Sequence, residues 1–193
     1  MKNSTFIGIY PGIKRVLREE RFRHLRGVIW FIVITLAIHY SYRFWAIHLH
    51  YWPIQEWMNG LNQVMASWVF NQSVWVNRHI LCISMRIMEH TMWFDNGSGI
   101  MINSSCSGDK QILQFALLML LYPGPWKHKL WYIPMGMLIV HATNILRVVL
   151  LSVVTIIEPH YVKIAHDTAL RAMFYVVIFA LWVIWEEKLR IRN

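Results

Sequence analysis

The chain has 193 residues, of which 56% are hydrophobic and only 15% charged, against about 25% charged in ordinary soluble domains. That balance excludes a free-standing soluble domain, and the length suits one compact unit. The net charge of +9, from 19 Lys and Arg against 10 Asp and Glu, sits beside apolar runs, so it marks membrane orientation and no nucleic-acid partner is expected. Eleven Trp and eight Tyr suit the belts at which an amphipathic ring meets lipid headgroups. The fold class expected is an α-helical integral membrane protein. It has about four transmembrane helices, surface amphipathic helices and a small extracytoplasmic β element, all within one membrane domain, 1–193.

Residues 1–26 carry seven Lys and Arg against Glu19 and Glu20. They read as a basic amphipathic helix on the cytoplasmic surface. No cleavable signal peptide is expected, because the first apolar run begins near Gly27 and no small-residue cleavage site follows it. Residues 27–45 are the first span; at 1.5 Å per residue they cover roughly 28 Å, about one hydrocarbon core. Membrane lipids are therefore constant neighbours.

Residues 46–108 contain no clean spanning run and read as an extracytoplasmic subdomain. Apolar positions 57, 58, 61, 64, 65 and 68 form a helical stripe, which places a helix over 54–70 on the outer surface. From Asn71 onward the texture turns to β-formers, at Val74-Trp75-Val76 and Ile80 to Ile87. Asp95-Asn96-Gly97 between two apolar triplets is a hairpin signal, since Asn-Gly accepts positive φ cheaply.

The remaining spans are 110–126, 130–157 and 169–185. Lys127, His128 and Lys129 make the connection between the first two of these cytoplasmic, and residues 158–168 read as a short outer loop. Both termini then lie inside.

This topology brings three reactive side chains to one membrane level. Cys106 precedes the second span and His166 the fourth, both at the outer face. Arg147 stands 17 residues after Leu130, about 26 Å along a helix and so near the same boundary. His141, Asn144 and Arg147 share a helix face that should point into the bundle. An intramembrane arginine costs roughly 3 kcal/mol unless hydrated or paired. A fixed cation and a helix N-terminus both favour a thiolate. Backbone N–H groups around Ser107, Gly108 and Asp109 suit a developing oxyanion. Ser107, Gly108 and Asn144 are thus the substrate or oxyanion candidates, Cys106 a nucleophile and His166 a proton carrier. Each also has a plainer reading: a small buried thiol, a loop histidine, a snorkelling arginine. His160 and His90 compete for the proton-transfer role. Cys82 reads as structural, and the histidine spacing supports no metal site.

Ser105-Cys106-Ser107-Gly108 at the start of a span, Asn144-Ile145-Leu146-Arg147 inside the next and His166 before an aromatic-rich span occur in order. Over residues 74–185 the chain resembles the exosortases and archaeosortases, membrane-embedded cysteine transpeptidases, and among them the compact bacterial forms. The resemblance implies a catalytic set of Cys106, Arg147 and His166, with no cofactor. It implies cleavage of a C-terminal sorting signal (a short motif, a transmembrane helix and a basic tail) through a thioester, then transfer to an acceptor. It further implies residence in a bacterial inner membrane with the site facing outside, in the company of exopolysaccharide or surface-layer export machinery. The chain departs from the pattern by having about four spans where larger members have about eight, and by the polar Asp109-Lys110 where an apolar residue is expected. A non-catalytic membrane subunit assisting export, with Cys106 dispensable, is the competing expectation.

Overall fold

A computed structural model describes residues 23–190. Most of the expected basic N-terminal helix, residues 1–22, therefore lies outside the described residues, as does the end of the basic tail.

Five main helices and one small sheet follow in order: α1 (Arg23–His48), α2 (Gln55–His79), β1 (Met85–Met88), β2 (Thr91–Phe94), β3 (Gly99–Met101), α3 (Asp109–Leu121), α4 (Trp126–Ile157) and α5 (Leu170–Ile184). Among the described residues, three helical stretches are long and apolar enough to cross a bilayer: Arg26–His48, Trp126–Ile157 and Pro159–Leu189. The protein is an α-helical membrane protein. Where residues 110–126 were expected to span, α3 has only 13 residues, roughly 20 Å. It ends at Tyr122-Pro123-Gly124-Pro125, where two prolines prevent continuation.

The bundle core lies between α3, α4 and α5, where Phe115, Leu118, Met119, Tyr132, Val140, Phe174, Ile178 and Trp182 are buried together. In lipid no hydrophobic gain drives helices together, so close van der Waals fit must. Gly136 supplies it: a Cβ there would stand 2.1 Å from the Phe115 ring. The short α3 is held at its C-terminus by Lys129. Its Nζ donates to the Leu120 carbonyl at 2.9 Å and the Tyr122 carbonyl at 2.6 Å, and lies over the Trp126 ring. Two of the helix's orphan acceptors are so satisfied.

A second core joins α2, the sheet and the far end of α4. The three strands are antiparallel in the order β1-β2-β3, with Trp93 opposite Gly99. Met92, Phe94, Ile100 and Ile102 point inward against Val69, Phe70, Val148 and Leu151, the period-2 alternation of a half-buried sheet. The turn is pinned to α4: Asn96 Nδ2 donates to the carbonyls of Thr155 and Ile156.

Two expectations are corrected. Val74–Val76 is helical, because α2 runs to His79. Val74 packs against the second core while Trp75 stays exposed, and the fully buried Asn77 donates to Ser152 Oγ at 2.9 Å. Tertiary contact overrides residue propensity here. α2 also descends along the bundle, for Met58, Leu61 and Met65 share a groove with Ile112 and Met137, and Met137 lies about 15 Å inward of Arg147 along α4. Second, residues 158–168 are not a loop. Only Glu158 breaks the helix; Pro159 then starts a continuous helical path through Val162–Ile164 and a wide π-helical turn, Ala165–Ala169, into α5. Proline suits a first helical position because its missing N–H would have had no partner.

Candidate active site

Cys106 closes a single 3₁₀ turn, Ser104–Cys106, capped by the Asn103 side chain, which accepts from the Ser105 N–H at 3.1 Å. The turn packs on α2, and the partly buried Cys106 lies against the second core. Gly108 then adopts φ +77°, a left-handed conformation that costs a Cβ-bearing residue roughly 1–2 kcal/mol. A Cβ there would also stand 2.6 Å from Asn144 Nδ2. The closeness is needed, since that same Nδ2 donates to the Cys106 carbonyl at 2.9 Å. Asn144, 1% exposed, thus clamps the cysteine turn onto α4. Its amide nitrogen holds the protein's own backbone.

Ser107 is likewise turned inward. It is fully buried, and its Oγ donates to Asp109 Oδ1. Asp109 opens α3, and its other oxygen accepts from Tyr42 Oη at 3.2 Å. The polar residue that departs from the expected pattern is therefore an N-terminal helix residue with two hydroxyl donors. A carboxylate in a first turn is favoured by the helix dipole.

Arg147 emerges from α4 one turn beyond Asn144. Its Nη2 donates to His166 Nε2 at 2.8 Å, its guanidinium lies 5.7 Å from the Phe174 ring centre, and it is close enough to Cys106 for the two to interact electrostatically. A guanidinium offers only donors, so His166 Nε2 must accept. The ring proton then sits on Nδ1, which donates to Asp167 Oδ1 at 3.0 Å. Arg171 Nη2 donates to the same oxygen at 3.2 Å. The arrangement is a chain, Arg171–Asp167–His166–Arg147, with the histidine lone pair facing the arginine. It can take a proton at Nε2 and stabilise negative charge through the guanidinium.

Arg147, His166, Arg171 and Ser105 line one cavity of about 600 Å³, together with residues of α1 and α3. His160 is exposed on the turn Pro159–Tyr161, and His90 pairs with Ser67 at 3.2 Å beside a separate cavity. Neither lines the cavity that holds Arg147. Cys82 is an exposed free thiol. Among the described residues no cluster of three metal-ligating side chains exists.

The model of the transmembrane exosortase family matches residues 17–190. The chain belongs to the transmembrane exosortase family. Comparison with curated proteins gives no match, and neither does comparison with solved structures. Exosortase membership carries, in general terms, a membrane transpeptidase-like role for a multi-pass protein.

The sequence reading missed Asp167 and Arg171, and with them Tyr42, Arg43, Lys110 and Gln114, which share or border the cavity. One signal was present: Asp167 and Arg171 are four apart, an ion-pair spacing on any helix. Treating 158–168 as a loop hid it.

Proposed function

We propose that this exosortase is a cysteine transpeptidase that cuts a C-terminal sorting signal from exported or surface proteins and passes them, through a thioester on Cys106, to an acceptor. The observation that supports this most is the Arg147–His166 hydrogen bond at 2.8 Å, set beside a cysteine turn that Asn144 ties to the same helix. Such a pairing puts a base lone pair and a permanent cation within one site.

The Cys106 thiol gives its proton to His166 Nε2, and the sulfur forms a bond to the scissile carbonyl carbon. Arg147, released from Nε2, turns its donors to the new oxyanion. Collapse breaks the C–N bond; the proton on Nε2 leaves with the departing amine, and the acyl group stays on sulfur. An acceptor amine then attacks the thioester carbonyl and gives a proton to His166 Nε2; the C–S bond breaks, the acyl group leaves on the new amide, and Nε2 returns the proton to the sulfur, restoring the thiol. Asp167 holds Nδ1–H throughout, and so fixes the tautomer.

The site faces outside the inner membrane, with both termini in the cytoplasm. Substrates are proteins bearing a transmembrane sorting signal, and export machinery for exopolysaccharide is the expected company. Replacing Cys106 with Ala while following a tagged substrate by size tests the reading. Processing should stop, and a covalent adduct seen with the native thiol should vanish in Cys106→Ser. Unchanged processing in Cys106→Ala would overturn the proposal in favour of a non-catalytic export subunit.

A further inference from the structure

The cavity that Ser105 of the cysteine turn shares with Arg147 and His166 holds more positive charge than the proposed reaction uses. Arg43 from α1, Lys110 from α3 and Arg171 from α5 line it in addition to Arg147, and no Asp or Glu does. Asp167 takes part of the Arg171 charge, and Asp109 lies near Lys110 at the start of α3. Neither carboxylate reaches Arg43. Gln114 also lines the space. It is 5% exposed, and its Nε2 has no hydrogen-bond partner among the described residues. Three converging cations and a buried amide donor without an acceptor describe a site for an anion with several oxygens.

The walls show where that anion comes from. Near the opposite end of the bundle α1 and α5 touch, Phe31 meeting Phe179 edge to face and Trp182 at a tilt. Towards the cysteine the same helices form facing walls, Ala46 and Ile47 on one, Tyr175 and Ile178 on the other. Only 11% of the apolar stretch of α1 is buried in the protein, so most of that helix is left to face acyl chains. At this depth Trp45, Trp52 and Tyr51 cluster, an aromatic girdle of the kind that marks the headgroup layer.

We infer that this cavity binds the phosphate of an anionic phospholipid, with Arg43, Lys110 and Arg171 on the phosphate oxygens, Gln114 donating from below and the acyl chains lying between α1 and α5. The proposed reaction uses one of these cations, Arg147, on the oxyanion; Arg43, Lys110 and Arg171 exceed that need. Basic pockets between membrane helices hold lipid headgroups on these grounds. A volume of about 600 Å³ takes a headgroup and is generous for one side chain.

The test measures binding and needs no turnover, so it stands or falls apart from the transpeptidase proposal. Full-length protein and its Cys106→Ala form are reconstituted in nanodiscs, and bound dioleoyl phosphatidylglycerol is quantified by native mass spectrometry against dioleoyl phosphatidylcholine. Each cation removed should weaken phosphatidylglycerol binding about fivefold, so that Arg43→Gln with Arg171→Gln loses roughly thirtyfold. Gln114→Leu, which keeps every charge, should lose less. Arg78→Gln and Arg86→Gln, exposed cations outside the cavity, should change nothing. Melting temperature in detergent checks that each variant is folded. Equal phosphatidylglycerol retention in the folded double variant would overturn the inference. So would displacement of the lipid by inorganic phosphate alone, which would make the ligand a free anion. A soluble acidic peptide that binds the native cavity but not the double variant, without lipid preference, would assign the space to substrate and overturn it too.

Discussion

Asp167 and His166 are adjacent in sequence, and neighbouring side chains on a regular helix do not face each other. They meet because Ala165–Ala169 forms a wide π-helical turn, a distortion that recurs at functional sites. The contact sets which nitrogen carries the proton. Asp167→Asn keeps the size but brings an amide donor to Nδ1, which favours the proton on Nε2 and abolishes the lone pair that Arg147 now holds. Turnover of a tagged substrate should fall about 100-fold, short of the largest losses known for such changes because Asp167 is half exposed. Asp167→Glu should restore part of the activity, whereas a purely structural defect would not follow the carboxylate. That Arg147 and His166 meet was legible from sequence, because a charge inside an apolar span, and a histidine before one, stand out against their surroundings. The Asp167 contact was not: it depends on a backbone irregularity that no residue pattern announces.

Helix α3 is the element on which the site depends, since its first turn follows Gly108 and its last turn sets its height against α4. Thirteen residues are marginal for an isolated helix. Its ends are therefore held by others: Tyr42 and Ser107 at Asp109, Lys129 at Leu120 and Tyr122. Lys129 was read as one of three basic residues in a cytoplasmic connection. It is 4% exposed inside α4, because the helix begins at Trp126, four residues earlier than expected, and turns the lysine back over the end of α3. Lys129→Met removes the donor and leaves the buried Tyr122 carbonyl and the part-buried Leu120 carbonyl without it. The expected cost is about 1–3 kcal/mol, read as a lower melting temperature in detergent, with the adjacent exposed Lys127→Met as the neutral comparison. An unchanged melting temperature for Lys129→Met would show that water or lipid serves the carbonyls equally well. The hairpin, by contrast, was readable in the sequence at Asn96-Gly97, since turn chemistry is local. The helical course of Val74–Val76 was not, because it depends on Asn77 reaching Ser152, 75 residues away.

At the scale of the molecule, two ends of the bundle differ in what their cations do. At one end Arg26, Lys127 and Lys188 are exposed. At the other, Arg43, Lys110, Arg147 and Arg171 line the cavity beside the cysteine. A bare count of charge per end blurs the orientation, since the positive-inside rule counts the charges that flank the spans. The orientation proposed above, with the cysteine end outward, rests on that distinction. Two free thiols allow a direct check, because both Cys82 and Cys106 lie at that end. In intact cells a membrane-impermeant maleimide should label the exposed Cys82 in Cys106→Ser, and more slowly the partly buried Cys106 in Cys82→Ser. A cysteine placed at the exposed Lys188 of a chain lacking both natural thiols should react only after permeabilisation. The reverse pattern would invert the topology and place the thiol chemistry on the cytoplasmic face, where an exported protein's sorting signal could not reach it after crossing.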